Sequence, residues 1–226
     1  MPTNPQTAIA ARRWQGPGSI TQVQWVRWIA KPIIFVLSLV PLAWLVWNGV
    51  ADDLGANPVE TIRRYTGDWT LRFVLIALAV TPLRRITGWN AIIRVRRMLG
   101  LFAFFYACLH FISYIWLDQF FMWEAIIEDV LERPYITVGV LSFLLLIPLA
   151  VTSTNGMVRR LGGRRWQRLH RLVYIIAIGG VIHFFWLVKS DISEPVIYGV
   201  LLALLLGYRL LWSLRKAGRE RATGNA

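Results

Sequence analysis

The sequence predicts an all-α integral membrane protein, a bundle of six transmembrane helices with both termini cytoplasmic, and three observations carry that expectation. Hydrophobic residues make up 56% of the 226 and charged residues only 16%, whereas a water-soluble domain carries roughly a quarter charged residues. Six apolar runs approach or exceed the roughly 20 residues needed to cross a hydrocarbon core of about 30 Å. Lys and Arg gather at alternate connections between those runs. The same composition excludes a disordered chain. A net charge of +13 would point to nucleic acid in a soluble protein; here it reads as topology, and no nucleic-acid partner is expected.

The six runs are Ile29 to Val50, Trp69 to Leu83, Met98 to Leu117, Tyr135 to Ser153, Leu169 to Val188 and Pro195 to Trp212. The second is short and carries Arg72 near one end, where a long side chain snorkels to the headgroups. Residues 1–28 are expected as a cytoplasmic arm, 29–212 as one six-helix domain and 213–226 as a cytoplasmic tail. Pro32, Pro41, Pro82 and Pro148 lie in or beside the runs, where packed neighbours tolerate them. Arg12-Arg13 resembles a twin-arginine signal, but the apolar run after it is too long for one and has no small-residue cleavage site.

The segments Arg12 to Lys31, Arg84 to Arg97, Arg159 to Arg171 and Arg209 to Arg221 hold 20 of the 25 Lys and Arg. Every acidic residue except Glu220 falls on the opposite side. Positive loops face the cytoplasm, so this asymmetry sets the orientation. Trp47, Trp69, Trp116 and Trp186 fall at outer ends, and Trp28, Trp166 and Trp212 at inner ends, as interfacial anchoring expects. Asp52, Asp53 and Glu60 read as a solvated outer loop.

A single cysteine, Cys108, excludes a disulfide framework, a CxxC pair, a cysteine-held metal cluster and covalent haem attachment. The chemistry falls to three histidines. His110 precedes Asp118 by eight residues, and His183 precedes Asp191 by eight. Both imidazoles therefore lie at one depth in the outer half of the bilayer, on spans that run in the same direction. Two such spans hold a planar cofactor between them by bis-histidine ligation, and haem b is the expected ligand. A lone intramembrane histidine is as readily a neutral hydrogen-bonding residue; matched depth favours the haem reading. Zinc fits less well, because no third ligand lies at that level.

His170 lies 13 residues before His183, about 20 Å lower on a continuous helix and about 140° around it. It forms a separate site unless the helix bends, and Gly179-Gly180 offers a bend or simply close packing. Its counterparts in the third span are Arg96 and Arg97, which do not ligate haem iron in place of histidine but pair well with phosphate or propionate. The lower site is thus a haem held from one side or a different, anionic cofactor.

The stretches LGANPVETIRRYTGDWTLR (Leu54 to Arg72), RVRRMLGLFAFFYACLHF (Arg94 to Phe111), RPYITVGVLSFLLLIPLAVTST (Arg133 to Thr154) and GGRRWQRLHRLVYIIAIGGVIHFFW (Gly162 to Trp186) resemble the MsrQ (YedZ) family. These are haem-binding membrane subunits of bacterial periplasmic protein-methionine-sulfoxide reductase systems, with a ferric-reductase-like transmembrane domain. The resemblance implies haem b on His110 and His183, with His170 as the family's third histidine and a second haem there as the open alternative. It implies FMN near the cytoplasmic face, where Arg96 and Arg97 match paired arginines. It further implies electrons taken from the quinone pool or a cytoplasmic flavin reductase. They pass to a periplasmic molybdopterin-containing, MsrP-like subunit that forms a heterodimer with the chain and holds the sulfoxide-reducing site.

Only about a dozen residues follow Trp212, too few for a flavin or nicotinamide domain, so a separate donor is expected. Asp118 to Glu132 is expected as an acidic amphipathic helix on the outer leaflet, for docking a partner or anchoring in lipid. The competing readings are a ferric-reductase-like or quinol-oxidising cytochrome b with another partner, and a membrane transporter or scaffold that binds no haem. A transporter would show broken helices or repeated halves, and neither is evident.

Overall fold

The computed structural model describes residues 22–224, and every element in them is helical. Helix α1 (Gln22–Trp25) runs through a π-helical turn (Val26–Ala30) into α2 (Lys31–Val50). Helix α3 (Pro58–Thr87) is followed by a 3-10 turn (Asn90–Val95) and α4 (Arg96–Ser113), which ends in a π-helical turn (Tyr114–Asp118). Then come α5 (Trp123–Glu132), α6 (Pro134–Val151), α7 (Asn155–Leu161), α8 (Gly163–Leu169), α9 (Leu172–Leu187) and α10 (Ser193–Gly224). The N-terminal arm with Arg12-Arg13 lies outside the described residues, except that the chain is already helical at Gln22, ahead of the expected start at Ile29. No helix end marks the expected boundary at Trp212 either, because α10 continues through it.

Five helical stretches are long and apolar enough to cross a membrane: Val26–Val50, Asn90–Asp118, Pro134–Val151, Gly163–Leu187 and Ser193–Gly218. The expected second span lies inside α3, which is not among the five. Its 30 residues reach about 45 Å. They begin at Pro58 because Asn57 caps the helix, accepting from the Glu60 N–H at 3.2 Å, and Pro58 suits a first-turn position that lacks a donor requirement. Glu60 is therefore in a helix and not in a loop as expected. At the other end Gly88 takes a left-handed φ of 70°, the conformation that ends a helix and favours glycine.

Helix α3 is the centre of the bundle. Phe73, Val74, Leu75, Leu78 and Val80 are all buried and pack against Phe102, Ala103, Tyr106, Ala177 and Leu202 from three other helices. A helix surrounded by protein need not be apolar all round, which is how α3 carries Arg63, Arg64, Asp68 and Arg72. Arg72 does not reach for headgroups as expected. Its Nε donates to the Tyr198 hydroxyl at 2.7 Å, and its guanidinium lies over Trp69.

The helices associate as two close pairs. Helix α3 packs chiefly on α4, and α6 chiefly on α9. Between the pairs, Ala107, Leu146, Leu149 and Ile176 form a smaller core.

Helix α2 is tied to α4 by hydrogen bonds from a buried tyrosine. Tyr106 is fully buried, accepts from the Leu42 N–H at 3.1 Å and donates to the Ser38 carbonyl at 2.8 Å. Those two backbone groups are the i, i+4 pair that a regular helix joins directly. Insertion there is assisted by Pro41, which already removes a donor from the ladder. Tyr106→Phe leaves both groups without the hydroxyl. We expect it to destabilise the protein by about 1–3 kcal/mol, read as a lowered Tm in detergent; an unchanged Tm would show that the ladder closes without it.

At the end of the bundle that holds Asp118 and Asp191, the expected amphipathic segment is shorter than Asp118 to Glu132. Phe120 and Phe121 take left-handed φ values of 46° and 59°, uncommon for bulky residues, and separate α5 from the π-helical turn. Helix α5 buries Ile126 and Asp129, and Asp129 accepts from Gln119 Nε2 at 2.6 Å and from the Tyr114 hydroxyl at 3.1 Å. Trp123, Ile127 and Leu131 stay exposed. At the same end, the Ser193 N–H donates to Asp191 at 2.9 Å, and the bonds from Ser193 hold that carboxyl below the usual carboxylate range.

Candidate functional site

The structure brings His110 of α4 and His183 of α9 together, their ring centres 6.1 Å apart and their planes at 77°. Each imidazole is fixed in the same way by the other helix of its own pair. His110 Nδ1 lies 2.9 Å from the Arg63 carbonyl of α3, and His183 Nδ1 lies 2.6 Å from the Tyr135 carbonyl of α6. A carbonyl only accepts, so each Nδ1 carries the proton and each Nε2 keeps a free lone pair. Second-atom bonding of this kind sets the tautomer in which imidazole binds metal.

The approach of ring to helix needs glycine. Four residues after Arg63 stands Gly67, and four after Tyr135 stands Gly139, in each case on the same face one turn on. A Cβ at Gly67 would lie 3.1 Å from His110 Nδ1, and one at Gly139 would lie 2.8 Å from His183 Nδ1. The residues at 63, 67, 135 and 139 were not singled out from the sequence. The signal that would have found them is a glycine inside a helix at the depth of a histidine on a neighbouring span.

Both histidines line one cavity, part of it open to the surroundings. Its walls are apolar, with Leu71, Val74, Phe111, Phe143, Leu146 and Ile176 among them, while Arg63, Arg64 and Asp68 stand at one end. Arg63 NH1 is 3.2 Å from Asp118, and its buried Nε has no hydrogen-bond partner. These residues fit a haem. Two imidazoles binding one metal ion from opposite sides through bonds of about 2.0–2.1 Å have ring centres roughly 6 Å apart. The apolar walls suit a porphyrin, and the free Arg63 donor suits a carboxylate.

His170 is not brought to this pair. It lies in a turn between α8 and α9, so the continuous helix expected from His170 to His183 is interrupted at His170 and Arg171. The interruption is held by tertiary bonds. The Thr152 hydroxyl donates to Pro148 O at 2.6 Å, so at 3.0 Å it accepts from His170 Nε2, while the ring stacks on Trp166 at 3.8 Å. The bend does not fall at Gly179-Gly180, which stay helical and pack against Ser142 and Leu71. Arg96, half-buried, stands within electrostatic reach of His170. Arg97 is exposed and donates to Asn155 Oδ1 at 2.6 Å. Among the described residues no three His, Cys, Asp or Glu converge.

The family described as "Ferric reductase like transmembrane component" matches residues 66–181, a stretch that includes His110 and His170 and ends just before His183. Relatives named "Protein-methionine-sulfoxide reductase heme-binding subunit MsrQ" match over nearly the full length of both proteins. The one from Herminiimonas arsenicoxydans is 53% identical over 196 residues, 86% of this chain and 90% of the relative. That from Rhodospirillum rubrum is 56% identical over 194 residues, 86% and 93%, and that from Polaromonas naphthalenivorans 51% over 199 residues, 87% and 90%. On the strength of that identity and coverage, the chain belongs to the MsrQ family of ferric-reductase-like membrane proteins.

Proposed function

We propose that this protein is the membrane electron-transfer subunit of a periplasmic protein-methionine-sulfoxide reductase, with haem b and FMN as its carriers. The observation that carries the proposal is the pair of imidazoles, each with its Nδ1 proton held by a main-chain carbonyl and its Nε2 left free beside one cavity. Haem, when bound, supplies a one-electron carrier. The chain's own residues do the rest. His110 and His183 present neutral nitrogens to the iron; the Arg63 and Tyr135 carbonyls fix their rings; Gly67 and Gly139 admit them; and the apolar wall excludes water.

On this reading α3 is a sixth span, both termini are cytoplasmic and the membrane is the bacterial inner membrane. The arginine-rich segments at one end and the carboxylates at the other support that orientation. Electrons enter at the cytoplasmic side from quinol or a separate flavin reductase, beside an FMN at that end. They leave at the opposite end to a molybdopterin-containing partner, with which the chain forms a heterodimer. The reading is tested by dithionite-reduced absorption spectra of the purified protein, in which a low-spin b haem gives sharp α and β bands; a colourless protein overturns it.

Helix α5 stands at the electron-exit end, with Glu124, Glu128 and Glu132 exposed. A partner that docks there meets a row of negative charge. Reversing Glu124 and Glu128 to lysine is expected to slow partner-dependent sulfoxide reduction several-fold, through the association rate, with haem content unchanged. An unchanged transfer rate would leave α5 a lipid-facing surface only.

A further inference from the structure

A second polar cluster lies at the arginine-rich end. Pro82 of α3 has no N–H, so the Leu78 carbonyl four residues earlier has no donor within its helix. Arg209 of α10 supplies one, with NH2 2.6 Å from Leu78 O. Its NH1 donates to the Tyr174 hydroxyl of α9 at 2.7 Å, and its guanidinium carbon lies 5.3 Å from the Tyr174 ring centre. Two hydrogen bonds and a ring thus hold this guanidinium in one place. Its Nε is buried with no hydrogen-bond partner, as is the Thr81 hydroxyl one residue before Pro82.

Arg96 lies near enough to feel both the Arg209 charge and the Tyr174 phenol. The ion pairs found among the described residues join Arg63 to Asp118, Arg64 to Glu60 and Arg133 to Asp129, so neither Arg96 nor Arg209 takes part in one. Two guanidiniums partly withdrawn from water and within electrostatic reach of each other repel, and an anion bound to both relieves the repulsion. Arg97 is spent elsewhere, on Asn155.

We propose that Arg96 and Arg209, with Tyr174 beside them, form a binding site for a phosphate group. This rests on the reading that the chain holds FMN, whose phosphate is the expected occupant; an anionic phospholipid headgroup offers the same chemistry. The assignment replaces the adjacent pair Arg96 and Arg97 with a pair drawn from the first turn of α4 and the middle of α10. It also gives α10 a second task beyond covering the bundle.

The test uses the full-length protein in nanodiscs of phosphatidylcholine alone or with phosphatidylglycerol. Binding of FMN and of riboflavin, which lacks the phosphate, is read by flavin fluorescence, retained phospholipid by mass spectrometry, and integrity of the bundle by the haem spectrum. Pro82→Ala restores an N–H for Leu78 O, so Pro82→Ala with Arg209→Gln removes the charge without orphaning that carbonyl. The unsubstituted protein is expected to prefer FMN to riboflavin by about tenfold or more, the worth of a charge-assisted hydrogen bond. Arg96→Gln and the Pro82→Ala, Arg209→Gln double variant should each bring that preference near parity, while Arg97→Gln and Pro82→Ala alone keep it. If flavin binding shows no preference but phosphatidylglycerol is retained, and is lost in the same two variants, the phosphate site stands and FMN is not its occupant. Neither preference in the unsubstituted protein, survival of both in the two variants, or their loss only with Arg97→Gln overturns the assignment.

Discussion

Replacing either His110 or His183 with alanine is expected to remove the haem, lowering bound pigment at least tenfold and abolishing the reduced α and β bands. His170→Ala should leave those bands in place, because His170 Nε2 is engaged by Thr152 far from the pair. The bundle should survive all three changes. The Arg63 and Tyr135 carbonyls each sit four residues before a glycine N–H in a regular helix, so loss of the imidazole costs them a second bond and not their only one. Absorption spectra before and after dithionite, with circular dichroism for helix content, check the outcome. Pigment that survives unaltered in both His110→Ala and His183→Ala would end the haem assignment.

The second large effect comes from adding one methyl group. Alanine normally stabilises a helix by about 1 kcal/mol over glycine, so on propensity alone Gly67→Ala and Gly139→Ala should be harmless or better. The geometry predicts the opposite for haem retention. At Gly139 the new Cβ would stand 2.8 Å from His183 Nδ1 and 2.9 Å from its Cε1, closer than such contacts are found, so the ring must leave the Tyr135 carbonyl. At Gly67 the corresponding distances are 3.1 Å, tight but open to a small shift. Haem content should therefore fall about tenfold or more in Gly139→Ala, a change of roughly 1.4 kcal/mol, and less in Gly67→Ala. Gly100→Ala in α4 meets nothing within 4 Å and serves as the neutral comparison. Haem quantification per protein decides it; equal retention in Gly139→Ala and Gly100→Ala would show that the cradle is unnecessary.

Much of this was legible in the residues. Apolar runs and alternating arginines gave the helical membrane class directly, because length and charge placement follow from the thickness and polarity of a bilayer. The convergence of His110 and His183 was legible from an equal count of residues to Asp118 and Asp191, two carboxylates at the same end of the bundle. The start of α3 was misread. Charged residues from Glu60 to Asp68 look like a loop until Asn57-Pro58 and Glu60 are taken together as a cap. The turn at His170 was not legible at all, because RLHRLV contains no glycine or proline, and the ring is held by Thr152 from the end of α6 and by Trp166 four residues earlier. Gly67 and Gly139 were passed over for a related reason. A glycine inside an apolar helix usually means close packing of helices, and only the position of a partner ring tells the two uses apart.

The division of the bundle into α3 with α4 and α6 with α9 bears on how the protein matures. Each half carries one histidine together with the carbonyl and the glycine that aim it, so each imidazole is positioned within its own hairpin, by contacts local to that half. What crosses the seam between the hairpins is thin by comparison, and a metal bound on both sides of it would act as a stitch. On the proposed haem reading, the two halves are expected to form before the pigment binds.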